Sequence, residues 1–274
     1  MKKELTKYGF VQEIFSSFQG EGASLSGSCY GLRQIFIRLA GCPLALGVCG
    51  TKGCVWCDSP KAQTLEPKFI LVEKEAGGQE FYKIENPISV AQLVAIVDNL
   101  KTSDLHSVSL TGGEPLLQID FTAKLVNELK KKGYLLYLET AYTEDLLGLK
   151  RISNKIDYAC VDIKDRSAQS AKDWKKLAEQ ELKMCEILQK SGVKVFAKVV
   201  ISNKSTEEDF HYISSMCGKY QIPLVIQPVT PKKGLELKSP TWNKIKSFTE
   251  IAGEYLPPEK IGLSVQVHKL INIL

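Results

Sequence analysis

Four of the eight cysteines fall in one short stretch, Gly41-Cys42-Pro43-Leu44-Ala45-Leu46-Gly47-Val48-Cys49-Gly50-Thr51-Lys52-Gly53-Cys54-Val55-Trp56-Cys57-Asp58-Ser59. An apolar run of strand length, Ile35-Phe36-Ile37-Arg38-Leu39, ends just before the first of them. The cysteines are therefore predicted to lie on a loop at the carboxyl end of a strand. In parallel α/β folds that end of the strands carries the chemistry, so this loop is the first candidate site.

Cysteines cluster in this way in three kinds of site. Cys42, Cys49, Cys54 and Cys57 would supply the four protein ligands of a structural zinc site. A disulfide knot is less favoured, because no signal peptide precedes the cysteines and the chain is long enough to fold without covalent staples. The third kind is an iron–sulfur cluster with three cysteine ligands and one open iron. Spacing alone does not choose among the three.

The composition is that of a globular protein with a substantial core. The 274 residues suit one large α/β domain or two small ones, and 44% of them are apolar. The net charge of +5 fits an anionic small substrate and equally an ordinary solvated surface. No run of about 18 apolar residues occurs, so no membrane span is predicted. The amino-terminal residues lack a hydrophobic signal core, which predicts a cytoplasmic protein.

The rest of the chain repeats a pattern of strand, polar tip and helix. This alternation predicts an α/β fold with a parallel sheet or partial (β/α) barrel in a single domain over 1–274. Two apolar runs around Gly77-Gly78 predict a β-hairpin, inserted at about 66–86. Strands are expected at 11–15, 35–39, 134–138, 158–161, 193–201, 223–226 and 262–267, with another from 108, and helices at 90–100, 120–132, 171–190, 206–220 and 242–255.

Polar side chains gather where the predicted strands end. Any one of them, taken alone, fits a helix cap or a surface ion pair. Because the carboxyl ends of parallel strands meet at one edge of a sheet, several together favour a shared site beside the cysteine loop. The residues are Arg38, Thr111, Glu114, Glu139, Asp162, Lys164 and Gln227.

Short motifs in a fixed order carry a family resemblance along almost the whole chain. The sequence resembles the radical S-adenosylmethionine (SAM) superfamily and, within it, the 7-carboxy-7-deazaguanine synthase family. The superfamily's usual loop is CxxxCxxC, whereas here eleven residues, with an extra cysteine among them, separate Cys42 from Cys54. The motifs are Phe18-Gln19-Gly20-Glu21-Gly22, Arg38-Leu39-Ala40-Gly41-Cys42, Cys54-Val55-Trp56-Cys57-Asp58-Ser59, Thr111-Gly112-Gly113-Glu114-Pro115, Glu139-Thr140, Asp162-Ile163-Lys164, Gln227-Pro228 and Gln266-Val267-His268-Lys269.

The resemblance implies a carbon–nitrogen lyase with a [4Fe-4S] cluster, SAM and Mg²⁺. It implies that SAM binds the open iron and is cleaved to methionine and a 5′-deoxyadenosyl radical. The radical takes a hydrogen from 6-carboxy-5,6,7,8-tetrahydropterin, whose ring contracts with loss of ammonia to 7-carboxy-7-deazaguanine. That product belongs to 7-deazapurine biosynthesis, on the way to queuosine or archaeosine. The protein's part is to orient and shield the cofactor.

The resemblance also implies roles for individual residues, with no catalytic side chain beyond the cluster-bound SAM. Cluster ligands are Cys42, Cys54 and Cys57, and the Mg²⁺ ligand is Ser59. Residues expected to bind SAM are Trp56, Cys57, Asp58, Gly113, Glu114, Glu139, Lys164 and Gln227. Residues expected to bind the substrate are Phe18, Gln19, Gly20, Arg38, Thr111, His268 and the carboxylate of Leu274.

Two other functions remain open at the level of sequence. One is a radical SAM activase that makes a glycyl radical on a partner enzyme, and the other is a non-enzymatic zinc-binding module. The expected partners are a small pterin substrate, an electron donor such as flavodoxin or ferredoxin, and a second copy of the chain in a homodimer. Neither nucleic acid nor membrane is expected as a direct partner.

Overall fold

The structure, a computed structural model, describes residues 7–25, 27–231 and 237–270, without the side chains of 268 and 269. The strands are β1 (Tyr8–Gly9), β2 (Val11–Phe18), β3 (Arg33–Leu39), β4 (Phe69–Glu73), β5 (Phe81–Glu85), β6 (Ile88–Ser89), β7 (Leu105–Gly112), β8 (Leu136–Thr140), β9 (Tyr158–Ile163), β10 (Lys194–Ile201), β11 (Leu224–Pro228) and β12 (Ile261–Leu263). The helices are α1 (Val90–Asn99), α2 (Ile119–Lys131), α3 (Leu146–Ser153), α4 (Trp174–Lys190), α5 (Glu207–Tyr220), α6 (Trp242–Gly253) and α7 (Val267–Leu270).

Ten of these strands form one open sheet in the order β12-β11-β10-β9-β8-β7-β3-β2-β4-β5. From β12 to β3 every neighbouring pair is parallel. The crossover from β3 to β7 contains α1, and the later crossovers contain α2 to α6, because parallel neighbours need such connections. The predicted α/β class with a mostly parallel sheet is confirmed.

Helix starts follow from ordinary capping chemistry. Ser89 and Gln92 form a reciprocal capping box at the start of α1. Thr206 and Thr241 accept backbone N–H bonds at the starts of α5 and α6. The predicted helices therefore begin within a few residues of their expected positions.

The predicted hairpin is present and extends the main sheet. β4 and β5 pair antiparallel around the turn at Gly77, and β4 pairs in parallel with β2. Glu73, at the end of β4, accepts backbone N–H bonds from Ser16, Gly77 and Gln79, which ties the turn to β2. That the hairpin is an insertion stays a prediction.

The strand predicted at 11–15 is longer in the structure. β2 continues to Phe18 and runs antiparallel to β3, so the loop that follows β2 leaves from the opposite end of the sheet. Stacking of Phe15 on Phe36, with ring centroids 5.1 Å apart, and of Arg33 over the Phe18 ring stabilises this pairing.

Two elements near the end and middle of the chain also differ from the sequence pattern. The strand expected over 262–267 ends at Leu263, because Ser264 and Gln266 turn their side chains to the loop after β2. Helix α3 is not indicated by the pattern. Its eight residues start at the cap Asp145, whose carboxylate accepts the Gly148 N–H at 2.7 Å.

The inner face of the parallel strands has two layers. An apolar layer contains Tyr137, Cys160, Phe196 and Val225, and it packs against Ala23, Leu25 and Cys29 of the loop after β2. Two residues further along each strand the same face carries polar groups, because strand side chains alternate with a period of two. The second layer contains Glu139, Asp162, Lys198 and Gln227.

Strand register brings the predicted polar tips together. Arg38 lies opposite Thr111, and Asp162 lies opposite Lys198. These groups line one cavity at the carboxyl ends of the strands. No helix within the described ranges is both long and apolar enough to cross a membrane.

Candidate active site

A cavity of about 600 Å³ lies at the carboxyl ends of the parallel strands. Most residues that the sequence assigned to a site line its walls. They are Phe18, Gln19, Gly20, Arg38, Cys42, Cys54, Trp56, Cys57, Asp58, Ser59, Thr111, Gly113, Glu114, Glu139, Lys164 and Gln227.

The four loop cysteines divide into a group of three and one that stands apart. Cys42, Cys54 and Cys57 line the cavity and lie near enough to act on one another's charge. Cys49 does not line it, and its thiol is hydrogen-bonded to the Tyr142 hydroxyl. A four-cysteine zinc site is therefore not favoured, because the fourth thiol has a different partner.

Glycines let the end of β7 pack directly on the cysteine loop. A Cβ on Gly113 would stand 2.1 Å from the Gly41 carbonyl oxygen and 2.5 Å from that of Ala62. Gly112 has φ +134° and approaches Leu39 equally closely. A side chain at Gly113 would push the cysteine loop away from the sheet, and one at Gly112 would push β7 away from β3.

Glu114 is buried at the cavity wall with a carboxylate that already has four donors. One oxygen accepts from Leu116 N and Thr140 Oγ1, and the other accepts from the backbone N–H groups of Ala141 and Tyr142, at 2.7–3.0 Å. Burial raises the pKa of this carboxyl, although these bonds oppose the rise. The predicted contact of Glu114 with SAM stays a prediction. What the structure adds is that Glu114 fixes the loop after β8.

Arg38 stands at the cavity edge in a chain of polar contacts. Its Nε contacts Glu13 Oε1 at 2.6 Å, and its Nη1 donates to Ser59 Oγ at 2.8 Å. Ser59 Oγ in turn donates to Asp58 Oδ1 at 3.2 Å. The guanidinium also lies 5.6 Å from the centroid of the Phe15 ring. These contacts hold the planar fork in one orientation.

A buried ion network forms the floor of the cavity. Lys198 Nζ pairs with Glu21 Oε2 and lies 3.2 Å from Asp162 Oδ1, while Lys164 Nζ lies 3.3 Å from Asp162 Oδ2. Burial, the largest single cause, would lower the pKa values of both lysines, but Asp162 and the other acidic groups nearby together raise them. Burial would likewise raise the pKa of Asp162, but the two ammonium groups hold it below its usual value.

Glu139 joins this floor to the wall formed by β7. Its carboxylate accepts from Gln19 Nε2 at 2.7 Å and from Thr111 Oγ1 at 2.8 Å. Burial raises the Glu139 pKa, and the nearby Lys198 opposes that rise. Three residues from separate parts of the chain thus present fixed hydrogen-bonding groups to one face of the cavity.

The segment after β12 closes one side of the cavity. Gln266 Nε2 donates to Glu21 Oε1 at 2.7 Å and to Asp58 Oδ2 at 3.2 Å, and Val267 N donates to the Gly20 carbonyl. The predicted substrate-binding side chain of His268 and the predicted carboxylate of Leu274 lie outside the described residues.

A sequence model of the Radical SAM superfamily matches residues 41–216, the part of the chain that holds the cysteine loop, the Gly-Gly-Glu-Pro turn and most of the ion network. This chain belongs to the radical SAM superfamily. The resemblance carried by the sequence motifs is therefore confirmed, and so is the expectation of an enzyme.

Named relatives of this radical SAM enzyme match it from end to end. A 7-carboxy-7-deazaguanine synthase from Thermococcus kodakarensis is 38% identical over 96% of this chain and 98% of its own length. Proteins of the same name from Methanocaldococcus jannaschii and Geobacter sulfurreducens are 34% and 32% identical, each over 96% of this chain and covering 100% and 97% of their own lengths.

A solved structure supports the fold. A radical SAM methyltransferase from Sphaerobacter thermophilus superposes with a TM-score of 0.55, covering 85% of this chain and 66% of that one at 13% identity. The likeness concerns the fold alone. Together with the open parallel sheet it confirms the predicted partial radical SAM barrel.

The cysteine loop of this radical SAM enzyme fits an iron–sulfur cluster. Burial raises the pKa of the Cys42 and Cys54 thiols, to about 11 for Cys54, so a bound metal group must displace their protons. Cys54 also packs against an apolar group that contains Trp56 and Val200, which limits water near the thiols. In the described part of the chain no three His, Cys, Asp or Glu side chains converge on one point. Because an iron–sulfur cluster is several atoms wide, its ligands need not converge on one point.

Sequence reasoning missed two charged residues of this site. Lys198 interrupts the apolar strand Val195-Phe196-Ala197-Lys198-Val199, and a lysine there needs a buried partner. That interruption was the available signal. Glu13, the partner of Arg38, has no comparable signal, because the pairing depends on the antiparallel direction of β2.

Proposed function

We propose that this radical SAM enzyme converts 6-carboxy-5,6,7,8-tetrahydropterin to 7-carboxy-7-deazaguanine with loss of ammonia. One observation carries the proposal: relatives named for this product match 96% of the chain at 34–38% identity and 98–100% of their own lengths. The glycyl-radical activase is not favoured, because the relatives that match nearly the whole chain carry the name of the synthase.

Cys42, Cys54 and Cys57 hold the cluster, and Cys49 remains free. A [4Fe-4S] cluster with bound SAM supplies one-electron cleavage of SAM when both are present. The chain's part is to offer three thiols on one cavity wall and to keep water out through the apolar packing around Trp56. Low solvent access at thiolate ligands tunes the potential of such clusters.

The SAM side of the cavity is the wall formed by the ends of β7 and β8. Gly113 lets the end of β7 pack against the cysteine loop there, and Glu114 fixes the loop after β8, which holds that wall in place. Trp56, Asp58, Glu139, Lys164 and Gln227 complete this side. A wall held rigid before binding reduces the entropy lost when SAM is ordered.

The substrate side lies between Arg38 and the floor. The guanidinium of Arg38 offers a fork of donors for the pterin carboxylate, which suits bidentate recognition. Phe18, Gln19, Gly20 and Thr111 bind the pterin ring near Glu139. His268 and the carboxylate of Leu274 are proposed for the same ligand.

The finer points of the function are part of the proposal. Ser59 binds Mg²⁺ beside the substrate carboxylate, since a hydroxyl oxygen is the hard ligand that Mg²⁺ prefers. The enzyme works in the cytoplasm as a homodimer and takes electrons from a flavodoxin or ferredoxin. Its product enters 7-deazapurine biosynthesis.

The decisive experiment is anaerobic incubation of the reduced, reconstituted protein with SAM and carboxytetrahydropterin, read by mass spectrometry. We expect 7-carboxy-7-deazaguanine to form with release of ammonia. Because this conversion leaves the oxidation level unchanged, the hydrogen taken from the pterin must be returned, so 5′-deoxyadenosine and methionine should not accumulate in equal amounts with the product. If SAM were cleaved while the pterin stayed unchanged, the protein would still be a radical SAM enzyme, but the proposed substrate would be wrong.

A further inference from the structure

The cysteine loop has an exposed apolar tip. Leu46 and Val48 are each 49% exposed, although the residues around them are mostly small or buried. Both belong to the eleven residues between Cys42 and Cys54, where the usual spacing has three. Two large apolar side chains held in water by a short turn favour contact with another molecule.

This tip is rigidly joined to a residue proposed to hold the cluster. The Leu46 N–H donates to the Cys42 carbonyl oxygen at 3.0 Å, and the Val48 N–H donates to that of Pro43 at 3.1 Å. A molecule seated on the tip is therefore separated from the Cys42 ligand by little more than one turn of backbone.

Lysines stand beside the tip. The Lys172 N–H donates to the Cys49 carbonyl oxygen at 3.0 Å, and its side-chain carbons lie 2.9–3.2 Å from where a Cβ on Gly50 would stand. Lys176 is near enough to Cys49 to act on its charge, and Lys52 follows in the loop. All three lysines are exposed, and no ion pair within residues 7–25, 27–231 and 237–270 neutralises them. The nearby acids are Asp173, Glu144 and the buried Glu181.

Lysines also stand at the start of α4. Its first turn contains Lys175 and Lys176, and its N-cap Asp173 accepts the Lys176 N–H at 3.1 Å. A helix N-terminus carries partial positive charge, and the Asp173 carboxylate offsets part of it. Lys172, Lys175 and Lys176 outnumber that carboxylate, so the local charge beside the cysteine loop is positive, which suits binding of an acidic partner.

We propose that Leu46, Val48, Lys52, Lys172 and Lys176 form the docking surface for an acidic ferredoxin, and we call this surface the loop patch. The inference rests on the proposed function. An apolar centre with a basic border complements a small acidic carrier, and electron-transfer complexes are held by contacts at the small end of the interface range. Each docked, reduced ferredoxin gives one electron to the iron–sulfur cluster and leaves oxidised by one electron.

The first test measures binding of the reconstituted enzyme to an acidic ferredoxin by calorimetry. The variant Lys172→Glu/Lys176→Glu should raise Kd by about tenfold or more and flatten its dependence on salt, because border charges act through screened attraction. The variant Leu46→Ser/Val48→Ser should raise Kd and keep the salt dependence. The matched control Lys131→Glu/Lys246→Glu, on exposed lysines elsewhere, should leave Kd unchanged.

The second test compares two reductants. With dithionite, both loop-patch variants should turn over at the wild-type rate; with ferredoxin, both should be slower by about the factor seen in Kd. If the variants lost as much turnover with dithionite as with ferredoxin, or if their Kd for ferredoxin were unchanged, the proposed docking surface would be overturned. The docking surface would also be overturned if the variants changed the binding of flavodoxin and not that of ferredoxin, or if they changed only the sedimentation of the enzyme. Failure of wild-type turnover with dithionite would instead remove the proposed function.

Discussion

Arg38 Nη1 donates a hydrogen bond to Ser59 Oγ across 2.8 Å. The first residue is proposed to bind the substrate carboxylate, and the second is proposed to bind Mg²⁺. Because Arg38 is also paired with Glu13, its fork is only partly available to a ligand. The two proposed roles are therefore coupled, and a substitution at either residue should affect the other.

Replacing Arg38 with alanine should weaken substrate binding on the order of ten- to a hundredfold, since a charge-assisted hydrogen bond contributes about 1.5–3 kcal/mol. Arg38→Lys should recover only part of this loss, because an ammonium cannot form the bidentate contact. Two quantities are measured: the KM for carboxytetrahydropterin, which should rise, and the rate of SAM cleavage without substrate, which should change little.

The matched control is Arg151→Ala on α3, where Arg151 pairs with the exposed Asp120 and does not line the cavity. It should leave the KM unchanged. An equal loss of substrate binding and of SAM cleavage in Arg38→Ala would point to a structural role for Arg38.

Added Mg²⁺ should raise the activity of the wild-type enzyme, and Ser59→Ala should blunt that response. Ser59→Thr keeps the hydroxyl oxygen and should keep most of the response. The Arg38–Ser59 bond predicts in addition that Mg²⁺ raises substrate affinity less in Arg38→Ala than in the wild type. An enzyme indifferent to Mg²⁺ would remove the metal from the proposal.

Single Cys→Ala variants should separate the three proposed ligands from the fourth cysteine. After anaerobic reconstitution, alanine at Cys42, Cys54 or Cys57 should abolish the iron–sulfur absorbance and lower the iron content. Cys49→Ala should keep both, because its thiol contacts Tyr142 and not the cavity. Loss of the cluster in Cys49→Ala with retention in Cys42→Ala would reverse the assignment.

Much of the inner face could be predicted from the chain because its strands repeat one local rule. Tyr137 precedes Glu139 by two residues, and Cys160 precedes Asp162 by two. Such pairs lie on the same side of a strand, the first in the apolar layer and the second in the cavity. Polar strand tips and the cysteine spacing therefore indicated the site without any knowledge of tertiary contacts.

The rest depends on contacts between distant segments, which a local pattern does not encode. The direction of β2 decides where Gln19 and Glu21 enter the cavity, and that direction comes from pairing with β3. The four donors of Glu114 include two backbone groups of a loop some 27 residues away. No periodicity in the sequence reports either relationship.

The ion network on the cavity floor makes a prediction about stability and pH. Asp162 lies between Lys164 and Lys198, so Asp162→Asn leaves buried ammonium groups with one carboxylate fewer. Breaking a buried pair in this way costs roughly 3–5 kcal/mol, and we expect the lower end because Asp162 faces the cavity. Urea unfolding at pH 7 of the iron-free protein, wild type against variant, measures the difference.

The pH dependence distinguishes charge from packing. A carboxyl whose pKa is lowered on folding stabilises the native state above its unfolded pKa, about 3.9, and that contribution is lost as pH falls through the lower folded value. The difference between wild type and Asp162→Asn should thus be constant from about pH 7 to 5 and shrink only below about pH 4. Asp104→Asn, which breaks an exposed pair with Arg33, should change stability far less at every pH. If the Asp162→Asn deficit persists undiminished in acid, the side chain contributes through packing and hydrogen bonding and not through its charge.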